Sequence, residues 1–367
     1  MAELNFPIHE ILNAYHLPGS FSEAVPFGSG HINDTIRLSF RLDDGSAQHY
    51  VLQKLNRFVF RHPEEVMHNM VAVTEFLRNK ILAAGGNALR ETLTVIHAAD
   101  GNSFYRDSQG EYWRLVLYIT DAVSYDMAPE PALMHETGLA FGNFQRQLSD
   151  FPAETLRCTI PDFHNTEKRY TAFCAAVERD TVSRGKSCRE EIDFLLHRAG
   201  LSVYTREQSL PLRVTHNDTK INNIMFDKGT GKALCVLDLD TVMPGFVLHD
   251  FGDAIRTGAA TAAEDEKNIS LVGFDMDMFT AFARGFSEGL RGCLTKAEVD
   301  SLAMGALVIT YEQALRFLTD YLQGDPYYKT EYPEHNLIRT RTQIYLLAEM
   351  ERRRAEMENT VRCCFHV

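Results

Sequence analysis

Residues 211–258 read PLRVTHNDTKINNIMFDKGTGKALCVLDLDTVMPGFVLHDFGDAIRTG and are the most informative part of the chain. Two short apolar runs, 224–226 and 233–237, flank DKGTGK, whose glycines predict a tight hairpin turn between two strands. A polar loop, residues 216–220, precedes the first strand, and the second strand ends on Asp238. We therefore expect the hairpin to place a carboxylate where it can face the polar loop.

The polar loop has a spacing with chemical meaning, His216-x-Asp218-x-x-x-x-Asn223. In a kinase catalytic loop of this spacing, the aspartate accepts the proton of the substrate hydroxyl and the asparagine binds Mg²⁺. Phosphoryl transfer also needs hard oxygen ligands that hold Mg²⁺ on the phosphates. Asp218 is thus predicted as the catalytic base, and Asn223 and Asp238 as metal ligands, with Asp240 a weaker candidate. The alternative is a turn whose polar side chains bond only to their own backbone.

A literal Asp-Phe-Gly string occurs at residues 250–252 and invites assignment as the metal motif of protein kinases. We reject this assignment because the string lies well past the hairpin, in a segment that reads as a loop entering a helix. Asp250 is expected instead to support the catalytic loop through hydrogen bonds, or to cap the following helix.

The strings HNDTKINNIMFD, CVLDLDTVMPG and DFGDAIRTGA resemble the N-acetylhexosamine 1-kinases, which belong to the aminoglycoside phosphotransferase and choline kinase-like superfamily. The resemblance runs along nearly the whole chain. The HxDxxxxN motif is moderately specific, whereas the longer NDTKxNN and DLDTxMPG strings are much more so. The resemblance implies an α+β, two-lobed, protein-kinase-like (aminoglycoside phosphotransferase-like) fold. Its nucleotide-binding lobe, mainly β with one long helix, is expected over residues 1–120, and a mainly helical lobe with the catalytic loop and sugar pocket over residues 121–367.

In the first lobe, residues 24–56 read as strand, glycine loop, strand, turn and strand. The loop contains Gly28, Ser29, Gly30 and Asn33, which we predict to bind the nucleotide, because glycines let backbone N–H groups approach phosphate closely. Asn33 stands where protein kinases have a third glycine, which is similar to the G-x-x-N loop of the aminoglycoside phosphotransferases. A common hairpin is the alternative interpretation of Gly-Ser-Gly.

The next strand is expected to carry the lysine that pairs with the α- and β-phosphates of a nucleotide. When the Val-Ala-Ile-Lys motif of protein kinases is aligned with residues 51–54, Lys54 takes the position of the motif's lysine. A slip of one residue in this alignment puts Gln53 there instead. Adjacent residues of a strand face opposite sides, so only one of the two can point at the nucleotide. The sequence leaves this choice open.

A late segment, RFLTDYLQGDPYY, begins at Arg316 and carries more polar groups than a plain core helix. Arg316 and Asp320 are four residues apart on one helix face, so an intrahelical ion pair is one interpretation. The family resemblance, through RFLTDYLxGDxY, implies instead that Arg316 and Tyr327 help to line the sugar site, together with His31 of the glycine loop.

Composition limits the class of protein. The chain has 367 residues, enough for two lobes with cores of their own. A net charge of −13 disfavours nucleic acid or an anionic membrane as a partner, but not ATP, whose charge Mg²⁺ offsets locally. The start of the chain lacks the basic residues of a signal peptide, and the seven cysteines form no CxxC pair. A cytoplasmic protein without structural zinc is expected.

The sequence thus predicts an enzyme that uses ATP and Mg²⁺ to phosphorylate the anomeric hydroxyl of an N-acetylhexosamine. The spacing of the loop indicates phosphotransfer, whereas the sugar and its 1-position come from the resemblance alone. One alternative is a kinase of the same superfamily that acts on an aminoglycoside, homoserine or choline. Another is a non-catalytic nucleotide- or sugar-binding protein on a kinase scaffold. The preferred N-acetylhexosamine and the oligomeric state stay open.

Overall fold

The computed structural model describes residues 6–28 and 33–366 of the chain. The chain divides into two compact units. The first unit consists of Met1–Val123, Asp150–Pro161 and Met225–Met243, and the second of Ser124–Ser149, Asp162–Ile224 and Pro244–Val367. Two segments from far down the chain therefore fold with the N-terminal part.

The first unit is built on an antiparallel sheet. Its strands are β1 (Ser20–Pro26), β2 (Asp34–Arg41), β3 (Ala47–Lys54), β4 (Val95–Ile96), β5 (Tyr105–Arg106) and β6 (Tyr112–Leu117). They lie in the order β1-β2-β3-β6-β4, with β5 paired to β6. The predicted strand–turn–strand pattern is confirmed. Alternate residues of β2, namely Ile36, Leu38 and Phe40, are buried and pack with Leu52 and Trp113 in one core.

Three helices belong to this unit, α1 (Ile8–Asn13), α2 (Pro63–Ala83) and α3 (Ala88–Glu91). Helix α2 begins with Pro63 in its first turn, where the missing N–H costs no helical hydrogen bond. Its buried Asn69 donates hydrogen bonds to the carbonyl oxygens of Arg157 (2.8 Å) and Val242 (2.9 Å). This one side chain ties both late segments of the unit to α2.

The hairpin predicted after the catalytic loop is confirmed. Strands β7 (Ala122–Val123), β9 (Ile224–Asp227) and β10 (Ala233–Val236) form a three-stranded sheet in the order β10-β9-β7. Gly231 in the turn has a φ of +68°, a left-handed conformation that glycine adopts without steric cost. The hairpin therefore turns where the sequence places its glycines.

The second unit is mainly helical. Its helices are α4 (Pro131–Gln147), α5 (Thr166–Arg179), α6 (Arg189–Leu196), α7 (Gly200–Glu207), α8 (Val247–Gly258), α9 (Met276–Leu290), α10 (Lys296–Leu322) and α11 (His335–Phe365). Two short strands, β8 (Arg213–Thr215) and β11 (Met243–Gly245), pair with each other. Helix α10 begins with a capping box of Thr295 and Glu298, in which each side chain accepts a hydrogen bond from the other residue's backbone N–H.

The Asp-Phe-Gly string has a packing role in this unit. Phe251 is fully buried against three phenylalanines of α9, Phe279, Phe282 and Phe286. A Cβ atom at Gly252 would collide with the carbonyl oxygen of Gly305 in α10. Helices α8 and α10 can therefore approach closely only because this position has no side chain.

Candidate active site

The first turn of α8 supports the catalytic loop. Asp250 is buried and accepts hydrogen bonds from the backbone N–H groups of His216 (2.9 Å) and Asn217 (2.7 Å), and from the side-chain amide of Gln145 (2.5 Å). Asn217 has a φ of +66°, which residues other than glycine adopt uncommonly. The prediction that Asp250 supports the loop is confirmed. The expected loop before the helix is wrong, because the chain is already helical at Val247.

A second aspartate of α8, one turn later, also supports the loop. Asp253 accepts a hydrogen bond from the N–H of Thr219 (3.0 Å), and the Thr219 hydroxyl donates to the carbonyl oxygen of Asp250 (2.5 Å). Arg256 pairs with Asp253 at 3.0 Å. Sequence reasoning missed Asp253, although its spacing of three residues from Asp250 puts both on one helix face.

Asp218 is held between Lys220 and Asn223. The Lys220 Nζ lies 3.0 Å from Asp218 Oδ1, and Asn223 Nδ2 donates to Asp218 Oδ2 at 3.1 Å. Burial alone would raise the pKa of Asp218, but the charges of Lys220 and His216 outweigh it and lower this pKa. Asp218 is therefore ionised at neutral pH, as a base must be. Sequence reasoning missed Lys220 as a partner of the base.

Asn223 has the orientation expected of a metal ligand. Its amide nitrogen also donates to the carbonyl oxygen of Asp218 (2.8 Å), so both of its side-chain hydrogen bonds use Nδ2. Its Oδ1 accepts no hydrogen bond from any described residue and is available to a hard cation. No group of three His, Cys, Asp or Glu side chains within residues 6–28 and 33–366 is arranged to hold a metal ion.

Asp238 and Asp240 belong to the first unit and have different surroundings. Asp240 is 2% exposed, forms a buried ion pair with Arg114, and accepts a hydrogen bond from Asn33 Nδ2 at 2.8 Å. Asp238 is partly exposed and has a φ of +52°. Asp240 is thus already bound to two side chains, which argues against it as a metal ligand. Binding of Mg²⁺ by Asp238 and Asn223 stays a prediction.

The predicted nucleotide loop is only partly described. Ser29, Gly30 and His31 lie outside the described residues. Gly28 has a φ of +81°, and nothing lies within 4 Å of where its Cβ atom would be. The side chain of Asn33 is engaged on both sides, since its Oδ1 accepts a hydrogen bond from the N–H of Asn56 (2.9 Å) and its Nδ2 holds Asp240. A contact from Asn33 to phosphate would therefore come from its backbone.

Gln53 and Lys54 have different partners. Gln53 Oε1 accepts a hydrogen bond from Arg114 Nε at 2.9 Å, whereas Lys54 Nζ lies 4.0 Å from Glu111 Oε2. The buried cation that holds Asp240 is Arg114, which faces Gln53 across the pairing of β3 with β6. Sequence reasoning missed Arg114, because nothing local marks a partner so far along the chain. The choice between Gln53 and Lys54 stays open.

A buried ion pair fixes the other side of the catalytic loop. His164 donates to Glu312 Oε1 (2.9 Å) and to the carbonyl oxygen of Asn217 (3.1 Å). Burial would lower the pKa of His164, but the hydrogen bond and charge of Glu312 outweigh it and raise this pKa. Burial opposes ionisation of Glu312 too, yet the bond to His164 lowers the pKa of Glu312 to about 2. The pair therefore carries charge and joins α10 to the residue before Asp218.

The predicted sugar residues Arg316 and Tyr327 lie in the same unit as the catalytic loop. The guanidinium of Arg316 is 5.6 Å from the ring centre of Phe163 and 5.7 Å from that of Tyr328. Tyr327 is 50% exposed. No ion pair joins Arg316 to Asp320 in the described part of the chain, so the intrahelical pair is wrong. A contact of Arg316 or Tyr327 with a sugar stays a prediction.

Solved structures share this architecture. An aminoglycoside phosphotransferase from Alicyclobacillus acidocaldarius matches with a TM-score of 0.59 and 12% identity, over 100% of this chain and 98% of that chain. Choline kinase from Cryptosporidium parvum matches with a TM-score of 0.52 and 12% identity, over 94% of this chain and 93% of that chain. Amicoumacin kinase, solved with AMP-PNP, Ca²⁺ and its ligand, matches with a TM-score of 0.53 and 11% identity, over 94% of this chain and 90% of that chain. At these identities the likeness shows the fold alone.

Fold and site together define a protein-kinase-like phosphotransferase of mixed helices and sheets, as predicted. The model of the phosphotransferase enzyme family, which includes the aminoglycoside phosphotransferases, matches residues 23–277, well over half of the chain. The chain therefore belongs to this phosphotransferase enzyme family. Among the helices that the structure describes, none combines the length and the apolar character needed to cross a membrane.

Proposed function

We propose that this enzyme transfers the γ-phosphoryl group of ATP to the anomeric hydroxyl of an N-acetylhexosamine, giving the sugar 1-phosphate and ADP. The observation that carries the proposal is the position of Asp218, held between Lys220 and Asn223. The sugar oxygen attacks the γ-phosphorus and its proton passes to Asp218, while the bond from the γ-phosphorus to the oxygen of ADP breaks. Positioning and charge stabilisation supply most of the catalysis in such a reaction.

The remaining roles follow the chemistry of each group. Asn223 offers an amide oxygen and Asp238 a carboxylate, which are the ligand types that Mg²⁺ prefers. When bound, Mg²⁺ neutralises charge that develops on the phosphates. Backbone N–H groups of the glycine loop are proposed to contact the phosphates, at Gly28, Ser29, Gly30 and Asn33. The charge of Lys220 lowers the pKa of Asp218.

Three carboxylates near the catalytic loop, Asp253, Glu264 and Glu312, already have a cationic partner, which favours an uncharged acceptor over an amine. Arg256 pairs with both Asp253 (3.0 Å) and Glu264 (2.6 Å), and His164 pairs with Glu312. A cationic acceptor binds best to a carboxylate that has no other cation beside it. Each of these carboxylates already has one, so an aminoglycoside or choline ammonium gains little here.

Two arginines support the same conclusion. Arg169 donates to the carbonyl oxygen of Phe163 (3.2 Å), and Arg316 lies against the ring of that residue. Burial and the charge of Arg316 lower the pKa of Arg169. Neither arginine forms an ion pair with a described residue, and Arg169 Nε is buried without a hydrogen-bond partner among them. Such groups repel ammonium and donate readily to the hydroxyl and carbonyl oxygens of an N-acetyl sugar.

The experiment is an ADP-release assay with ATP, Mg²⁺ and a panel of both N-acetylhexosamines, galactose, choline, homoserine and kanamycin. We expect turnover with the N-acetyl sugars and none with the amines. Turnover only on an amine-bearing alcohol would retain the role of Asp218 and discard the sugar. If ATP and Mg²⁺ raise the melting temperature but no acceptor gives ADP above the Asp218→Asn control, the chain is a non-catalytic binding protein.

A further inference from the structure

The loop that follows α10 is held by one buried carboxylate. Asp320, in the last turns of α10, is 3% exposed. Its Oδ1 accepts a hydrogen bond from the N–H of Tyr327 (2.9 Å), and its Oδ2 accepts from the N–H of Tyr328 (3.0 Å) and from Asn336 Nδ2 (2.9 Å). No cation pairs with this carboxylate in the ranges that the structure describes. Three N–H donors therefore replace the water that an ionised carboxylate loses on burial.

The same loop is fixed at its bend. Gly324 and Asp325 both have left-handed φ angles, +91° and +60°, and the N–H of Asp325 donates to the carbonyl oxygen of Asp320 (2.9 Å). Asn336 of α11 donates from the same Nδ2 to Asp325 Oδ1 (2.9 Å), and Arg184 pairs with Asp325 at 2.6 Å. The loop is thus tied to α10, to α11 and to the segment before α6.

The residues that this loop carries are the ones proposed to meet the sugar. Tyr327 is half exposed, and the Tyr328 hydroxyl accepts a hydrogen bond from Gln313 Nε2 (3.3 Å). Gln313 Oε1 in turn accepts from Arg316 (3.0 Å), whose guanidinium lies over the Tyr328 ring. Tyr328 also packs on Phe317 with ring centres 4.8 Å apart. The position of Arg316 and the position of the loop therefore depend on each other.

We propose that Asp320 and Asn336 are positioning residues that hold the Tyr327–Tyr328 loop against Arg316 as a preformed acceptor-binding surface. The proposal rests on the proposed function, in which Arg316 and Tyr327 meet the acceptor. A loop that is already in its binding conformation spares the substrate the cost of ordering it, so the benefit falls on acceptor binding. ATP binding gains nothing from it.

The test is the Asp320→Asn variant, with Asp300→Asn as the matched control. Asp300 is exposed on the same helix and pairs with Lys296, one turn away. In Asp320→Asn an NH2 group replaces one accepting oxygen and faces a donor. We expect KM for the N-acetylhexosamine to rise about tenfold, because one hydrogen bond to a charged group is lost. KM for ATP and kcat are expected to stay within about twofold of the wild-type values. Asp300→Asn is expected to match the wild type.

Hydrogen exchange supplies a readout that needs no turnover. The amide hydrogens of Tyr327 and Tyr328 are expected to exchange at least about tenfold faster in Asp320→Asn than in Asp300→Asn. Asn336→Ala, which removes the donor from α11, is the second variant if Asp320→Asn does not fold, and the same acceptor effect is expected.

Any of three results would overturn the proposal. Unchanged exchange of these amides would show that Asp320 does not hold the loop. Faster exchange with an unchanged acceptor KM would show that the loop does not bind the acceptor. If the wild type ignores N-acetylhexosamines, the proposed function fails. In that case the kinetic comparison uses whichever compound of the panel is phosphorylated. If no compound of the panel is phosphorylated, the role of the loop in acceptor binding is overturned as well.

Discussion

Removal of the Asp250 carboxylate is expected to damage the catalytic loop and the stability of the protein, and not the metal requirement. The buried carboxylate accepts hydrogen bonds from two backbone N–H groups of the loop. A hydrogen bond to a charged group contributes about 1.5–3 kcal/mol, and a buried donor left without a partner costs about 1–3 kcal/mol. With two such donors, Asp250→Ala is expected to cost about 3–6 kcal/mol.

Asp250→Asn keeps one accepting oxygen, so about half of this loss is expected, about 1.5–3 kcal/mol. At about 2–4 °C per kcal/mol for a unit of this size, the melting temperature falls by about 3–12 °C. The burial that raises the pKa of Asp250 also makes its charge costly, which places the expected loss toward the lower end.

The assay combines thermal unfolding with a Mg²⁺ titration of ADP release. Asp277→Asn is the control, because Asp277 is an exposed residue in the first turn of α9 and its substitution costs only tenths of a kcal/mol. We expect Asp250→Asn to lower the melting temperature and kcat while the Mg²⁺ midpoint stays within about twofold of wild type. An unchanged melting temperature together with a lost Mg²⁺ dependence would refute the assignment and make Asp250 the metal ligand.

Three further substitutions test other parts of the site. Lys220→Met removes the cation that lowers the pKa of Asp218, so the acid limb of the pH–rate profile is expected to move to higher pH; an unmoved limb would contradict the pairing. The pKa of Glu312 falls from 4.5 to about 2 in the fold, so its ion pair with His164 stabilises above about pH 4.5. Wild type should lose about 3 kcal/mol relative to Glu312→Gln as the pH drops toward 2, measured by urea unfolding, and parallel curves would argue against the charged pair. Gly252→Ala places a methyl group against a carbonyl oxygen of α10 and should cost at least about 1–3 kcal/mol in the same assay, whereas a neutral effect would mean that the helices can separate.

Features that depend on neighbours along the chain were predictable. The hairpin of β9 and β10 follows from two apolar runs around a glycine turn, and the spacing from Asp218 to Asn223 put both side chains in one loop. The prediction that Asp250 supports the catalytic loop through hydrogen bonds came from its place well past the hairpin. These patterns are local, so periodicity and turn chemistry express them directly.

Features that depend on residues far apart in the chain were not predictable from the sequence. Arg114 and Asp240 are 126 residues apart, and nothing near either residue marks the other as its partner. Arg316 and Asp320 have the spacing of an intrahelical ion pair. Asp320 instead accepts hydrogen bonds from backbone N–H groups of a loop whose course the sequence does not reveal. A local rule gave the wrong partner there because a tertiary contact competes with it.

Phosphorus and proton NMR of the product formed from ATP, Mg²⁺ and N-acetylglucosamine show which hydroxyl of the sugar receives the phosphoryl group. The proposed reaction predicts one new phosphate whose phosphorus couples to the anomeric proton, loss of the reducing end, and no product with Asp218→Asn. A phosphate on any other hydroxyl, or product formation that survives Asp218→Asn, would contradict anomeric transfer by this base.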